Sequence, residues 1–354
     1  MAEHKRLRVL VTGVDGDSGQ GLVKALRMSS SPMEIHGCDL SGGGVGGTFV
    51  DTLHLVPPAS AGDPYVERLD RICGQYGVDA VVPSTPVEID ALCGRGNPPA
   101  LPSGVPIVCL PDPYRKVFDD KLFCYQSLEG FVPLAPYADG SDPAAVQKIV
   151  ERQGFPLIVK RRRGRGGDSF HVVRKEAELA PALEKTADPV VQGFIDDGGG
   201  EFTVGVFAAD ERVTALAFRR RLGRTGSSWF AQTVDDLEIT AYAEAIAKAS
   251  GLRGSANVQL RKSSTGVRLL EVNARFSSLA PARAYAGFRD VEWSVVLALG
   301  GEPDVPRNGY RPIKFQRFVH EMVDDGEGYA PVPQWTRWAR ARLLGDSPDR
   351  RTAA

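Results

Sequence analysis

With 354 residues, 42% of them hydrophobic and 25% charged, the chain has the composition of a folded globular protein; a disordered chain, a collagen-like repeat and a coiled coil are excluded as global descriptions. The 43 Lys and Arg residues nearly cancel the 44 Asp and Glu, so no global field draws nucleic acid or an anionic membrane. The length predicts two or three domains, and the high glycine (39) and proline (25) counts favour a loop-rich α/β architecture. No segment approaches the roughly 18 apolar residues of a membrane span, and the apolar run after Lys5-Arg6-Leu7-Arg8 is too short for a signal peptide. The five cysteines, Cys38, Cys73, Cys93, Cys109 and Cys124, are odd in number and contain no C-x-x-C pair. That argues against a disulfide framework or a zinc ribbon and fits a reducing, cytoplasmic compartment.

In chain order, Leu7 to Thr12 reads as a buried strand, Gly13 to Gly21 as a glycine-rich turn, and Leu22, Val23, Leu26 and Met28 as one helical face. A second strand is expected over Ile35–Asp39, a loop over Asp39–Thr48, a helix over Tyr65–Tyr76, and strands over Asp79–Pro83 and Val105–Val108. Strands alternating with helices predict a doubly wound parallel sheet over residues 1–110. Past Pro111-Asp112-Pro113 the pattern predicts a helix over Ala144–Gln153 and a hairpin of Pro156–Lys160 with Phe170–Val173 around a Gly- and Arg-rich loop. Beyond it come a helix over Glu176–Thr186, strands over Val190–Ile195 and Glu201–Ala208, and a helix over Leu237–Ser250 ended by Gly251. Strands over Ala256–Arg261 and Val267–Asn273 follow, joined by Ser263-Ser264-Thr265-Gly266. The tail, with Trp335, Arg337, Trp338, Arg340 and Arg342, has helical spacing and no readable role.

Chemistry concentrates in the last of these hairpins. Alternation puts Glu271 and Asn273 on one face and Asn257 and Gln259 on one face of the neighbouring strand. Pairing 262 with 268 would set 259 opposite 271, so Gln259, Glu271 and Asn273 would offer three oxygen donors suited to Mg²⁺, with Arg275 beside them for a phosphate or oxyanion. The bland alternative is the wet face of a two-stranded sheet. In the loop, Gly164, Gly166 and Gly167 would let backbone N–H groups approach an anion, and Arg161, Arg162, Arg163 and Arg165 make it cationic, suited to an anionic substrate. A nucleic-acid reading of that run lacks interleaved aromatics.

The strings Asn257-Val258-Gln259-Leu260 and Leu269 to Phe276 resemble the metal-binding signature of the ATP-grasp superfamily, in the style of the carbamoyl-phosphate synthetase large chain. Asp119-Asp120-Lys121 resembles that family's first nucleotide-binding lysine, Pro156 to Lys160 the strand of its second, and 161–169 its glycine-rich lid, although Arg161 stands where proline commonly follows the lysine. Val190 to Ile195 resembles the adenine hinge, with Gln192 where other members carry glutamate, and Glu201 is placed for ribose hydroxyls. The resemblance covers about residues 110 to 300 and implies a pre-ATP-grasp domain (1–110), a two-lobed α+β ATP-grasp domain (111–320; lobes 111–185 and 186–320) and a C-terminal extension (321–354).

It further implies an ATP-dependent carboxylate–amine ligase working through an acyl phosphate. ATP would be held by Lys121, Lys160, Gly166, Gly167, Ser169, Gln192, Phe194, Ile195 and Glu201, and Mg²⁺, or Mn²⁺ in its place, by Gln259, Glu271 and Asn273. Lys160, Arg275, Arg219 and Arg221 would serve the transferring phosphoryl group and the substrate carboxylate; the bland alternative for the last two is solvated arginine. The partners implied are a small carboxylate and an amine, with thiol or hydroxyl acceptors open, and a homodimer is what the family suggests. Two other classes remain: a nucleotide-binding module without turnover, and a nicotinamide oxidoreductase. The second rests on Thr12 to Gly19, which matches T-G-x-x-G-x-x-G and resembles extended short-chain dehydrogenases, with Asp39 at the ribose-binding position. The Tyr-x-x-x-Lys pair that this chemistry needs occurs only at Tyr310 to Lys314, with Pro312 inside it, and so argues against the dehydrogenase.

Overall fold

The computed structural model describes residues 6–164, 170–196, 198–223, 228–307, 309–318, 321–324, 326 and 329–331. It opens with β1 (Arg8–Thr12), α1 (Asp17–Leu26), β2 (Glu34–Asp39), β3 (Thr52–Leu55), α2 (Asp63–Tyr76), β4 (Ala80–Val82) and α3 (Pro86–Leu92). All four strands run parallel in the order β3-β2-β1-β4. Alternation decides the layers: Val9 and Val11 pack on Leu22 and Leu26 of α1, whereas Leu10 packs on Leu69 of α2 and Leu92 of α3. The strand β3 lies in a segment the sequence pattern did not resolve, and a 3₁₀ turn occupies Val45–Phe49 inside the expected loop. Val105–Val108 forms no strand; Ile107 makes a single bridge to Val81. A disulfide joins Cys93 to Cys109, which corrects the expectation of unpaired cysteines; Cys38, Cys73 and Cys124 are free and buried.

Next come α4 (Asp112–Asp119), α5 (Lys121–Leu128), β5 (Tyr137–Asp139), α6 (Pro143–Gln153), β6 (Leu157–Arg161), β7 (Phe170–Val173), α7 (Leu179–Lys185) and β8 (Pro189–Gly193). The strands form an antiparallel sheet, β5-β8-β6-β7. Leu157, Val159 and Val191 pack under α6 and α7, which leaves Ile158, Lys160 and Gln192 on the opposite face. The helix expected over 176–186 is divided, a 3₁₀ turn at Glu176–Glu178 preceding α7.

The largest sheet is built from β9 (Gly200–Ala209), β10 (Arg212–Leu222), β11 (Ser228–Thr233), β12 (Gly254–Ser263), β13 (Gly266–Asn273) and β14 (Lys314–Gln316), in the order β13-β12-β9-β10-β11-β14. Its partner helix α8 (Leu237–Ser250) ends on Gly251 at φ 63°, as the sequence predicts. Ile239 and Ile246 of α8 and Leu122 and Leu128 of α5 pack on Val204, Val206, Val258 and Leu260. The other face meets α9 (Ala280–Ala286) and α10 (Asp290–Ala298) through Phe207, Phe218, Phe288 and Trp293. The same two helices reach back to the first unit, where Ala280, Ala284, Val291 and Val295 join the core of Val9 and Leu22. Residues 280–298 therefore cover a face of the parallel sheet that sequence order assigns to residues 1–110. Arg283 of α9 is fully buried, bonded to Asp290 at 3.1 Å and to Asn257. A Cβ on Gly205 would come within 2.7 Å of that guanidinium, so this strand position requires glycine. Of the C-terminal extension, Met322–Asp324 pairs with Tyr329–Pro331; the tail tryptophans lie outside the described residues. Among the described residues no helix is long and apolar enough to cross a membrane.

Candidate functional site

The hairpin β12–β13 places Asn257 opposite Asn273 and Gln259 opposite Glu271. The assumed register was off by one, since Lys262 pairs with Val267, yet the expected facing pair forms. A bulge supplies the missing residue: Leu260 pairs with Leu269, and Leu270 is the extra residue before Glu271. Its carbonyl turns inward, where it accepts from Tyr125 Oη at 2.6 Å and from Lys160 Nζ at 3.1 Å. The bulge thus ties the second sheet to the carboxylate strand.

Lys160 also donates to Tyr125 Oη and Gln192 Oε1, both at 2.8 Å, and Gln192 donates onward to the Leu269 carbonyl at 3.2 Å. No carboxylate touches the ammonium in these bonds. Burial, then the like charge of Lys121, pushes the Lys160 pKa down to about 7. Lys121 begins α5, caught between Glu271 Oε2 at 3.5 Å and the Gly164 carbonyl at 3.2 Å. Burial would raise the Glu271 carboxyl, but Lys121, the Asn273 amide at 3.2 Å, Lys160 and Arg275 together hold it below the usual range.

These groups surround a cavity of about 450 Å³ between the two antiparallel sheets. Among the described residues, Lys121, Lys160, Arg161, Arg220, Arg261 and Arg275 line it against two carboxylates, Glu201 and Glu271, an excess that suits a polyanion. Phe194 and Ile195 line the same cavity; Ile195 accepts from Arg261 at 3.1 Å and Phe194 from Gln153 at 3.1 Å. Glu201 is held by Arg220 at 2.6 Å and Arg261 at 3.2 Å. Gly166, Gly167 and Ser169, with Arg165, lie outside the described residues.

Arg219 and Arg221 are exposed and do not line the cavity; Arg221 stacks on Phe230 at 4.9 Å. The residue between them points inward: Arg220 bonds both Glu201 and, at 2.7 Å, Gln259 Oε1. Of the three neighbouring arginines, it is Arg220 and not the expected Arg219 or Arg221 that lines the cavity. Burial along β10 gives no parity signal, because Ala215 and Ala217 are buried along with Leu216 and Phe218. Of the arginine run, Arg162 and Arg163 are paired with Asp120, at 2.7 and 3.0 Å. Tyr125, Arg261 and Asn257 were also not chosen as site residues, and all three are fixed by contacts distant in sequence.

Carboxylates crowd the N-terminal glycine loop. The Asp15 carboxylate accepts from Gly46 N at 2.7 Å, and Asp39 accepts from Asp15 N at 2.9 Å and Leu40 N at 2.7 Å. The helix behind it opens on Asp17, whose negative charge at the N-terminus disfavours a pyrophosphate there. Gly19 serves packing, since its Cβ would meet the Gly13 carbonyl at 2.1 Å. Tyr310 bonds Thr214 and Lys314 is on an exposed strand, so no proton-transfer pair forms.

A cavity cradled between two antiparallel sheets, behind a parallel-sheet unit, is the architecture of ATP-grasp proteins, and this chain has that fold. Residues 190–318 match the model of one family in particular, described as "ATP-grasp in the biosynthetic pathway with Ter operon". The carbamoyl phosphate synthase large chain of Caldanaerobacter subterraneus subsp. tengcongensis is 30% identical over 204 residues, 51% of this chain; the match spans 19% of that protein's length. Among solved structures, the biotin carboxylase domain of Hydrogenobacter thermophilus 2-oxoglutarate carboxylase, complexed with MgADP, ADP and bicarbonate, superposes with a TM-score of 0.69 at 15% identity. That match covers 87% of this chain and 73% of the other. N5-carboxyaminoimidazole synthetase from Staphylococcus aureus, complexed with ADP, gives 0.64 at 15% identity, covering 85% and 78%.

Proposed function

We propose that the protein is an ATP-dependent carboxylate–amine ligase. The observation that carries this reading is the convergence of Lys121, Lys160 and Arg220 on the cavity that also presents Gln259 and Glu271, with Asn273 bonded to Glu271. ATP would lie between the sheets, its base against Phe194 and Ile195 and its phosphates toward the two lysines. The donor types suit a hard divalent cation, one carboxylate and two amide oxygens on paired strands with phosphate oxygens to complete the shell, although Gln259 Oε1 now accepts from Arg220 and would have to be released to bind it. Gln259, Glu271 and Asn273 would hold Mg²⁺, which when bound would neutralise charge on the triphosphate.

The substrate carboxylate attacks the γ-phosphorus and ADP leaves, giving an acyl phosphate. An amine then attacks the carbonyl carbon and phosphate leaves, giving an amide. Lys160 and Arg275 stabilise the transferring group, so the protein contributes positioning and electrostatics and needs no nucleophile of its own. The amide-forming step and a homodimeric assembly belong to the same reading; the cytoplasmic setting loses its cysteine argument, since Cys93 is bonded to Cys109.

Hydroxylamine is the test acceptor. A panel of carboxylates is incubated with MgATP and hydroxylamine, and ADP and hydroxamate are measured together. Carboxylate-dependent release of both is expected, lost in Glu271→Gln. Nucleotide binding without turnover across the panel would make the protein a nucleotide-binding module instead.

A further inference from the structure

We propose that the carboxylate substrate carries an apolar group, which seats in a second cavity between the N-terminal unit and the large sheet, with its carboxyl end at Arg275. This inference rests on the ligase reading above and names the class of its substrate. The second cavity is about 490 Å³ and is walled by Ile89, Ile107 and Leu110, each 5% exposed or less, together with Tyr114 and Leu297.

Most polar side chains at its wall are already engaged, and Asn97 lies at its exposed rim. Ser255 Oγ donates to Asp290 at 2.8 Å, Ser294 Oγ to the Asp290 carbonyl at 2.7 Å, and Tyr114 Oη to the Gly251 carbonyl at 2.6 Å. Arg253, at the edge, is paired with Asp210 at 2.6 Å. A polar ligand entering here would lose water without recovering its hydrogen bonds, whereas an apolar one gains by its burial. Arg275 is the one residue, among those described, that lines this cavity, the nucleotide cavity and the cleft beside Glu271. A molecule with its tail in the apolar cavity and its head at Arg275 therefore presents its carboxylate at the border of the nucleotide cavity. Fixed polar chemistry at one end and unspecific carbon at the other make an amphipathic carboxylate the ligand class that fits.

Acetate, butyrate, hexanoate and adipate serve as probes, titrated into the full chain with saturating MgADP and followed by ligand-observed NMR. Affinity should rise about fourfold per added methylene from butyrate to hexanoate, and adipate, whose far end is charged, should bind at least tenfold more weakly than hexanoate. Ala298 lines the cavity mouth from the exposed end of α10, so Ala298→Trp narrows it without touching the core. That variant should lose at least tenfold in hexanoate affinity, with Ala298→Ser unchanged. A flat chain-length series, adipate equal to hexanoate, or no effect of Ala298→Trp overturns the inference. MgADP binding is measured on the same samples: nucleotide binding with a flat series removes this inference alone, and a steep series without nucleotide binding removes the ligase reading.

Discussion

Lys160 makes nucleotide affinity depend on pH near neutrality. In the empty cavity its ammonium faces a phenol, an amide oxygen and a carbonyl, and burial with the neighbouring Lys121 brings its pKa to about 7. Bound phosphates oppose both effects and raise it toward the ordinary lysine range, so nucleotide binding takes up a proton above pH 7. In the empty protein about half of the Lys160 side chains are charged at pH 7 and about one in a hundred at pH 9. If only the charged form binds well, MgADP affinity falls by up to about fiftyfold over that interval, or ~2.3 kcal/mol. The nucleotide's own phosphate is already ionised there and does not contribute. Calorimetric titrations at pH 7, 8 and 9, in two buffers of different ionisation enthalpy, read both the affinity and the proton uptake. Lys160→Met should bind more weakly at pH 7 and show no slope. Equal wild-type affinity at pH 7 and 9, with no proton taken up at pH 8, would refute the assignment. Linkage also fixes the sign for stability without nucleotide. The unfolded chain holds the lysine proton up to about 10.5, so this residue costs stability fully below pH 7 and less as pH climbs from 7 toward that value.

The parity of β10 gives a paired test: Arg220→Ala, which frees Glu201 and Gln259, should weaken MgADP binding about tenfold or more, whereas Arg221→Ala should stay within about twofold. Gly205→Ala should lower unfolding stability by about 2 kcal/mol or more in urea titrations, because the new Cβ meets a guanidinium pinned by Asp290 and Asn257. Titration with NAD(H) or NADP(H) should give no change in nicotinamide fluorescence, since Asp39 already takes the Asp15 N–H of the loop and the Asp15 and Asp17 carboxylates crowd it; saturable binding would contradict that reading.

Local pattern made most of the frame legible. The alternation of Val9, Leu10 and Val11, the Gly251 cap and the facing strands around Ser263 to Gly266 each depend on neighbours within a few residues, and each is present. The short strand Thr52–Leu55 escaped because an edge of four residues carries too little alternation to separate from loop. Val105–Val108 failed for the opposite reason: the apolar run reads as a strand, but its partners are split between isolated bridges, Ile107 to Val81 and Pro106 to Ala100, and no ladder forms.

The site divides along the same line. Sequence alone determined which residue types were available and which shared a strand face: Gln259 with Asn257, Glu271 with Asn273, and Lys160 on the face opposite Val159. It could not count the extra residue at Leu270, because a bulge is decided by what the freed carbonyl meets, here Tyr125 and Lys160, 145 and 110 residues away. Tertiary packing likewise chose Arg220 over its neighbours, drew Arg162 and Arg163 onto Asp120, set Asp15 and Asp39 into the glycine loop, and closed Cys93 onto Cys109. Periodicity is a property of a few adjacent residues and survives in the sequence, whereas charge pairing depends on which distant segments fold together, and that is settled only when the sheets close on one another.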